Sequence, residues 1–245
     1  MKLTQYRGAL APALVTLGIV TLGCVAGAAT FTPVTLPSLD TDIRTWSDGA
    51  AYNPLFPSSQ VFAGVPFNFQ ADANGNTAFE GVGAGGPSLT IPVNVFGAAS
   101  VYTLINTAFG SAGSDVGSVT FNGSLGNSYT VQLIEGGNVR DHYWDGFVNT
   151  TTDPTTTEAV WGLNSPGNAH LDMQDFILPS IFATETLDSI VFNSNLLEGD
   201  GQPFIAGATV LSSVVPSAPD GGITAGLLGL SVGVLTVFRR RLAAR

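Results

Sequence analysis

The sequence predicts an all-β fold, an antiparallel β-sandwich or jelly roll, over residues 30–213. Three observations predict it. Apolar and polar residues alternate, with Tyr129, Val131 and Leu133 on one side of a run and Thr130 and Gln132 on the other. Successive side chains of a strand point to opposite faces, so this period marks a half-buried strand. Roughly ten such short runs are separated by Gly, Pro, Asn and Asp, the residues that supply turns. No long run of period 3.6 competes with them.

Taken in order, the first strands are Thr32–Leu36, Gln60–Ala63 and Pro66–Gln70, followed by Ser88–Pro92 and Ser100–Thr107. Val119–Phe121 and Tyr129–Ile134 flank the turn-rich Asn122–Asn127, which predicts a hairpin. Val160–Leu163, His170–Phe176, Ser189–Asn193 and Ala206–Leu211 complete the set. Thr150–Thr157 is a polar low-complexity loop, and no internal repeat of fixed period is visible. About 190 residues suffice for one domain with a sizeable core.

Charge divides the chain into unlike pieces. Six of the eight basic residues sit at the ends: Lys2, Arg7, Arg239, Arg240, Arg241 and Arg245. Between residues 30 and 222, only Arg44 and Arg140 stand against eighteen acidic residues, a net −16, with no lysine and no cysteine. Nucleic-acid binding needs a basic face to neutralise phosphates and is excluded on this balance. A disulfide framework and a cysteine zinc site are excluded as well, and a P-loop lacks its lysine.

The two ends carry addresses. Residues 1–29 read as a signal peptide for signal peptidase: Lys2 and Arg7, an apolar run from Ala9 to Val25, then Ala26-Gly27-Ala28-Ala29. Cys24 does not make a lipoprotein signal, because Thr21 stands where an aliphatic residue is needed. At the other end, a stalk and motif over 214–222 lead into an uncharged stretch, Ile223–Phe238, and a basic tail over 239–245. Sixteen residues of helix reach roughly 24 Å, slightly short of the roughly 30 Å hydrocarbon core, and flanking arginines can snorkel. The stretch is expected to be a transmembrane helix with its C-terminus cytoplasmic.

The order Pro219-Asp220-Gly221-Gly222, glycine-rich apolar span, Arg239-Arg240-Arg241 resembles the PEP-CTERM sorting signals, closest to their VPDSG variant. Ala218 replaces the usual valine, and Gly222 stands where that variant has its own small residue. The resemblance implies recognition by an exosortase, a membrane cysteine transpeptidase, and a destination at the cell surface or in the extracellular matrix of exopolysaccharide-making bacteria.

A second resemblance covers Gln60 to Leu211. Its landmarks are Ala63-Gly64-Val65-Pro66-Phe67, Ile91-Pro92-Val93-Asn94, Val101–Ala108, Tyr129–Ile134, Gly137-Asn138-Val139-Arg140-Asp141, Trp161-Gly162-Leu163-Asn164 and Leu187–Asn193. Their order resembles the secreted galactose-binding-like β-sandwich domains, including carbohydrate-binding modules, with Asn106 where such domains often carry histidine. It implies a sandwich and raises a binding role.

Chemistry-bearing residues are few. His142 and His170 are the only histidines, and no G-x-S-x-G is present, so no nucleophilic triad is expected. Gly81-Val82-Gly83-Ala84-Gly85-Gly86 matches G-x-G-x-x-G but opens no helix and reads as a loop. A glycoside hydrolase would need paired carboxylates, for which Asp141 with Asp145, or Asp172 with Asp175, are the candidates. Asp72-Ala73-Asn74-Gly75-Asn76, with Glu80 beyond, offers alternate oxygen ligands for calcium at Asp72, Asn74 and Asn76. Its glycine falls one place early for an EF-hand, and an Asx-rich turn is the plainer reading.

The strongest recognition candidate is Arg140-Asp141-His142-Tyr143-Trp144-Asp145-Gly146. Aromatic faces stack on sugar C–H surfaces while Arg140, Asp141 and His142 hold hydroxyls beside Trp144. The competing and plainer reading pairs Arg140 with Asp141 to pin the loop and lets Trp144 fill the edge of the core. The expected protein is a non-catalytic, exported surface or matrix protein associated with exopolysaccharide, without a resident cofactor unless calcium. The alternative is a carbohydrate-binding module acting through residues 140–146.

Overall fold

In the computed structural model, the described residues are 29–46, 48–144, 147–153, 156–163, 165, 167–195 and 201–213. Residues 1–28 of the expected signal peptide, the expected sorting motif and transmembrane stretch, the arginine cluster, Asp145 and Gly146 lie outside them. Among the described residues, no helix is long and apolar enough to cross a membrane.

The chain forms eleven strands: β1 (Thr30–Val34), β2 (Ser58–Phe62), β3 (Val65–Phe69), β4 (Ser88–Phe96), β5 (Ala98–Ala108), β6 (Asp115–Gly123), β7 (Ser128–Ile134), β8 (Thr157–Gly162), β9 (His170–Ile177), β10 (Thr186–Ser194) and β11 (Gln202–Ser212). Short 3-10 helices span Ile43–Thr45, Gly49–Leu55 and Ser180–Thr184. A five-stranded sheet runs β1-β11-β5-β9-β8, a four-stranded sheet β4-β10-β6-β7, and β2-β3 pair as a hairpin. Every pairing between named strands is antiparallel. The all-β expectation holds, and each expected strand overlaps an observed one, with ends shifted by a few residues.

The hairpin expected around Asn122–Asn127 forms between β6 and β7, with Val119 opposite Val131 and Phe121 opposite Tyr129. Gly126 closes its turn with φ +84°, a conformation that favours glycine. Pro33 and Pro92 fall in β1 and β4, which are edge strands, where a missing N–H interrupts no ladder.

The two sheets enclose one core. Val101, Ile105, Phe176, Ala208 and Val210 from the larger sheet meet Leu89, Ile91, Val119, Phe121, Ile190 and Phe192 from the smaller. A second core covers the opposite face of the larger sheet, where Leu104, Leu171, Phe204 and Ala206 pack against Phe67 and Phe69 of β3 and against Ile43, Tyr52 and Leu55. The hairpin therefore adds a third layer that alternation alone did not predict. Burial on both faces explains why β5 and β11 are buried almost end to end while β4 alternates.

Phe121 is fully buried and its ring meets Phe176 across the sheets at 5.6 Å between centroids. Phe121→Ala removes the ring and leaves a cavity, so it should lower stability by about 3–5 kcal/mol in denaturant unfolding.

Candidate functional site

The sheet opens at one end. β5 and β9 pair from Ser100 opposite Ile177 to Leu104 opposite Met173, then part. Side chains take over the backbone's bonding there. Gln174 accepts from Ile105 N–H at 3.0 Å and donates to Ile105 C=O at 2.8 Å. Asn106 accepts from Asp172 N–H and donates to Asp172 Oδ2, both at 2.8 Å. Each amide thus satisfies buried groups that lost their ladder partner.

The gap is filled by residues 140–144, the described part of the 140–146 recognition candidate. Thr107 N–H donates to Arg140 C=O at 3.0 Å and His142 N–H to Thr107 C=O at 2.8 Å. On the other side, His170 N–H donates to His142 C=O at 2.9 Å and Trp144 N–H to Asn168 C=O at 3.1 Å. The segment bridges β5 in parallel and the β9 side antiparallel. It is an inserted strand in all but length.

Arg140 anchors it, although not through the partner expected. Its Nε and Nη2 donate to Asp172 Oδ2 and Oδ1 at 2.7 and 2.8 Å, and Nη1 to Asn149 C=O at 2.6 Å. The guanidinium also lies 5.6 Å from the centroid of the half-buried Trp144 ring. Asp141 instead accepts from Tyr143 N–H through Oδ1 at 2.6 Å. Neighbours in a strand project apart, so Asp141 could not serve Arg140, and Asp172 supplies the two-pronged acceptor. The Asp172 side chain is wholly buried and that of Arg140 only 9% exposed.

His142 is held from the far side of the second core. Tyr52 O–H donates its single proton to His170 C=O at 3.0 Å, so at 3.1 Å from His142 Nδ1 it accepts. His142 is thereby assigned the Nδ1–H tautomer, with Nε2 left as the acceptor. Burial depresses its pKa to about 3, helped by His170, so the ring is neutral. His170 is depressed to about 4, again by burial first, against the opposing pull of Asp172.

Beside the inserted strand lies a cleft of about 390 Å³. Asp141, His142 and Tyr143 of the inserted strand line it together with Trp46, Asp48, Phe109 and Phe147. Arg140 and Trp144 do not line it, so the expected recognition set divides. Trp46 packs on His142 at 4.9 Å, and Phe109 meets Phe147 edge-on at 5.4 Å. Phe109 is half exposed and held at φ +63°. That conformation is an outlier for a bulky side chain, and such strain concentrates at ligand-contacting positions. Three acids also face the cleft, with Glu80 and Asp141 raised by burial, the latter to about 6.

The remaining candidates fall elsewhere. Asp72 Oδ1 accepts from the N–H groups of Asn74 and Asn76, both at 2.8 Å, and Oδ2 from Asn76 Nδ2 at 3.1 Å. This is an Asx turn, fastened by Arg44 Nη2 to Gly75 C=O at 2.8 Å, while Glu80 turns to Thr41 Oγ1. Arg44 also binds Asp42 at 2.7 Å. Gly81 and Gly83 of the G-x-G-x-x-G stretch donate to Asp40 Oδ2, both at 2.9 Å, so a carboxylate of the chain already occupies those amides. Asp172 and Asp175 do not face a common space. Asp175 lines a separate cavity of about 660 Å³ with Tyr102 and Glu158, while Asp172 is committed to Arg140. Trp46, Phe109 and Phe147 escaped the sequence reading because chain segments far apart assemble them, and no local motif marks them.

Removing one partner of a buried ion pair leaves a charge uncompensated, so Asp172→Ala should cost about 3–5 kcal/mol. The apolar double variant Arg140→Met/Asp172→Leu should cost less than either single change, as a double-mutant cycle would measure. His170 stays neutral in the fold below the 6.5 at which the unfolded imidazole takes a proton, so its contribution is full above pH 6.5 and lost towards pH 4. His170→Phe removes that loss. Its stability relative to the parent should rise by about 1.4 kcal/mol per pH unit on going from 6.5 to 4, in urea melts at successive pH values.

Comparison with protein-family models and with curated proteins finds no match for this chain, so a functional reading rests on this site and on the two ends of the sequence.

Proposed function

We propose that the chain is a non-catalytic, exported surface or matrix protein associated with extracellular polysaccharide, which its β-sandwich holds in the cleft beside the inserted strand. The observation that carries the binding part is the cleft itself, with half-exposed Phe109 and Phe147 beside the polar edge of Asp48 and His142. Rings offer flat apolar faces to sugar C–H groups, and the lone pair of His142 Nε2 and the Asp48 carboxylate accept from hydroxyls. An anionic domain suits a neutral or cation-bridged glycan better than a bare polyanion.

Export and sorting rest on residues 1–29 and on the pattern from Ala218 to Arg245. The apolar span would hold the chain in the membrane, C-terminus inside, until an exosortase acts near Pro219-Asp220-Gly221-Gly222. A catalytic reading has less support, because the carboxylate pair Asp172 and Asp175 is split between an ion pair and another cavity.

Phe109→Ala with Phe147→Ala should weaken binding to extracellular polysaccharide by about tenfold or more while leaving the melting temperature nearly unchanged, by affinity electrophoresis and calorimetry. Equal retention of parent and variant would reject the cleft as the binding surface. Deleting Pro219–Arg245 should move the protein from the cell surface to the medium, as fractionation would show, and unchanged surface retention would reject the sorting assignment.

A further inference from the structure

Behind the cleft, at the end of the main core, lies a group of oxygens that the cleft does not use. Glu135 follows β7 directly and is fully buried, and neither of its carboxylate oxygens has a hydrogen-bond partner. Asp141 is 1% exposed, and its Oδ2 is equally without a partner, as is Oγ1 of the fully buried Thr107. Thr107 bridges Asp141 through the backbone. It also lies beside the Glu135 carboxylate, as does the N–H of Asp141, both close enough to favour its charged form, although no hydrogen bond of ordinary geometry joins either to it.

The backbone is shaped around this carboxylate. A Cβ on Gly110 would come within 2.8 Å of Glu135 Cδ. A Cβ on Gly201 would come within 2.6 Å of Val116 Cγ1 and 3.4 Å of Glu135 Oε2, with Phe109 C=O at 3.6 Å. Both glycines have positive φ, +143° and +117°. Tyr143 N–H serves Asp141 Oδ1, but the other three carboxylate oxygens have no hydrogen-bond partner. Two acids buried together on so few donors are costly, since a buried polar group normally finds a partner and a buried charge a counter-charge. Arg140, the nearest cation in sequence, binds Asp172.

We infer that Glu135, Asp141 and Thr107 form a calcium site, with Glu135 supplying both carboxylate oxygens, Asp141 its Oδ2 and Thr107 its Oγ1. The donor set is all hard oxygen, with no sulfur or imidazole, which favours Ca²⁺ over transition metals. Backbone carbonyls such as Phe109 C=O can complete the six to eight ligands that Ca²⁺ takes, whereas Mg²⁺ keeps several waters that so buried a place does not readily admit. The site is distinct from the Asp72 turn, whose carboxylate already accepts three hydrogen bonds. It would tie the end of β5 to the turn after β7 and to the inserted strand, and so brace one wall of the cleft.

The test uses the full-length chain in mild detergent, stripped with EDTA and titrated with CaCl₂. At about a hundred times Kd, calcium should raise the melting temperature by about 5–10 °C, and equilibrium dialysis should find a single ion per chain. Glu135→Gln should abolish the shift, and in EDTA it should be at least as stable as the parent. Asp72→Asn should keep the shift in full. Thr107→Val, which preserves shape, provides a second variant and should raise the calcium Kd at least fivefold. The inference is overturned if the parent melts at the same temperature with and without calcium. It is equally overturned if Glu135→Gln retains the shift, if Asp72→Asn loses it, or if Thr107→Val binds calcium as the parent does. None of these readouts involves a glycan, so the site stands or falls apart from the proposed function.

Discussion

The parting of β5 from β9 is the constraint on which the end of the molecule with the candidate site depends. A sheet that opens exposes backbone groups to an apolar interior, and the structure closes the opening with Gln174, Asn106 and an inserted strand. The Arg140–Asp172 pair fastens that strand to β9 by two charge-assisted bonds. Replacing such a pair by apolar groups is often neutral for stability, so its value here lies in register. It fixes which residues of the segment turn to the cleft and which turn inward.

The same insertion explains why the aromatic and acidic groups diverge. Asp141, His142 and Tyr143 reach the cleft, whereas Arg140 and Trp144 serve the joint between strands. Tyr52 reaches across the second core to orient His142, so the third layer does more than cover the sheet. The β2–β3 hairpin and the 3-10 segments position one wall of the cleft through Trp46.

Much of the fold was legible in the sequence because strand formation is governed by local alternation and turn chemistry. The β6–β7 hairpin illustrates this, with Asn122–Asn127 marking its turn and Tyr129, Val131 and Leu133 its face. The Asp72 turn was legible for the same reason, as its hydrogen bonds close within four residues. The third layer was not, since β5 reads alike whether one face or both are buried. Nor was the partner of Arg140, thirty-two residues away on another strand. Glu135 carried no local signal at all; its environment is made by Thr107, Asp141, Gly110 and Gly201.

Both arginines of the lysine-free section are committed within the fold, Arg44 to Asp42 and the Asx turn, Arg140 to Asp172 and Asn149. The domain is therefore a polyanion whose two arginines are already held in pairs with its own carboxylates. Crowded copies would repel one another over a Debye length, about 8 Å at physiological salt and about 30 Å in dilute fresh water. Their spacing in a hydrated layer would then follow ionic strength, swelling as salt is diluted and collapsing as it is concentrated.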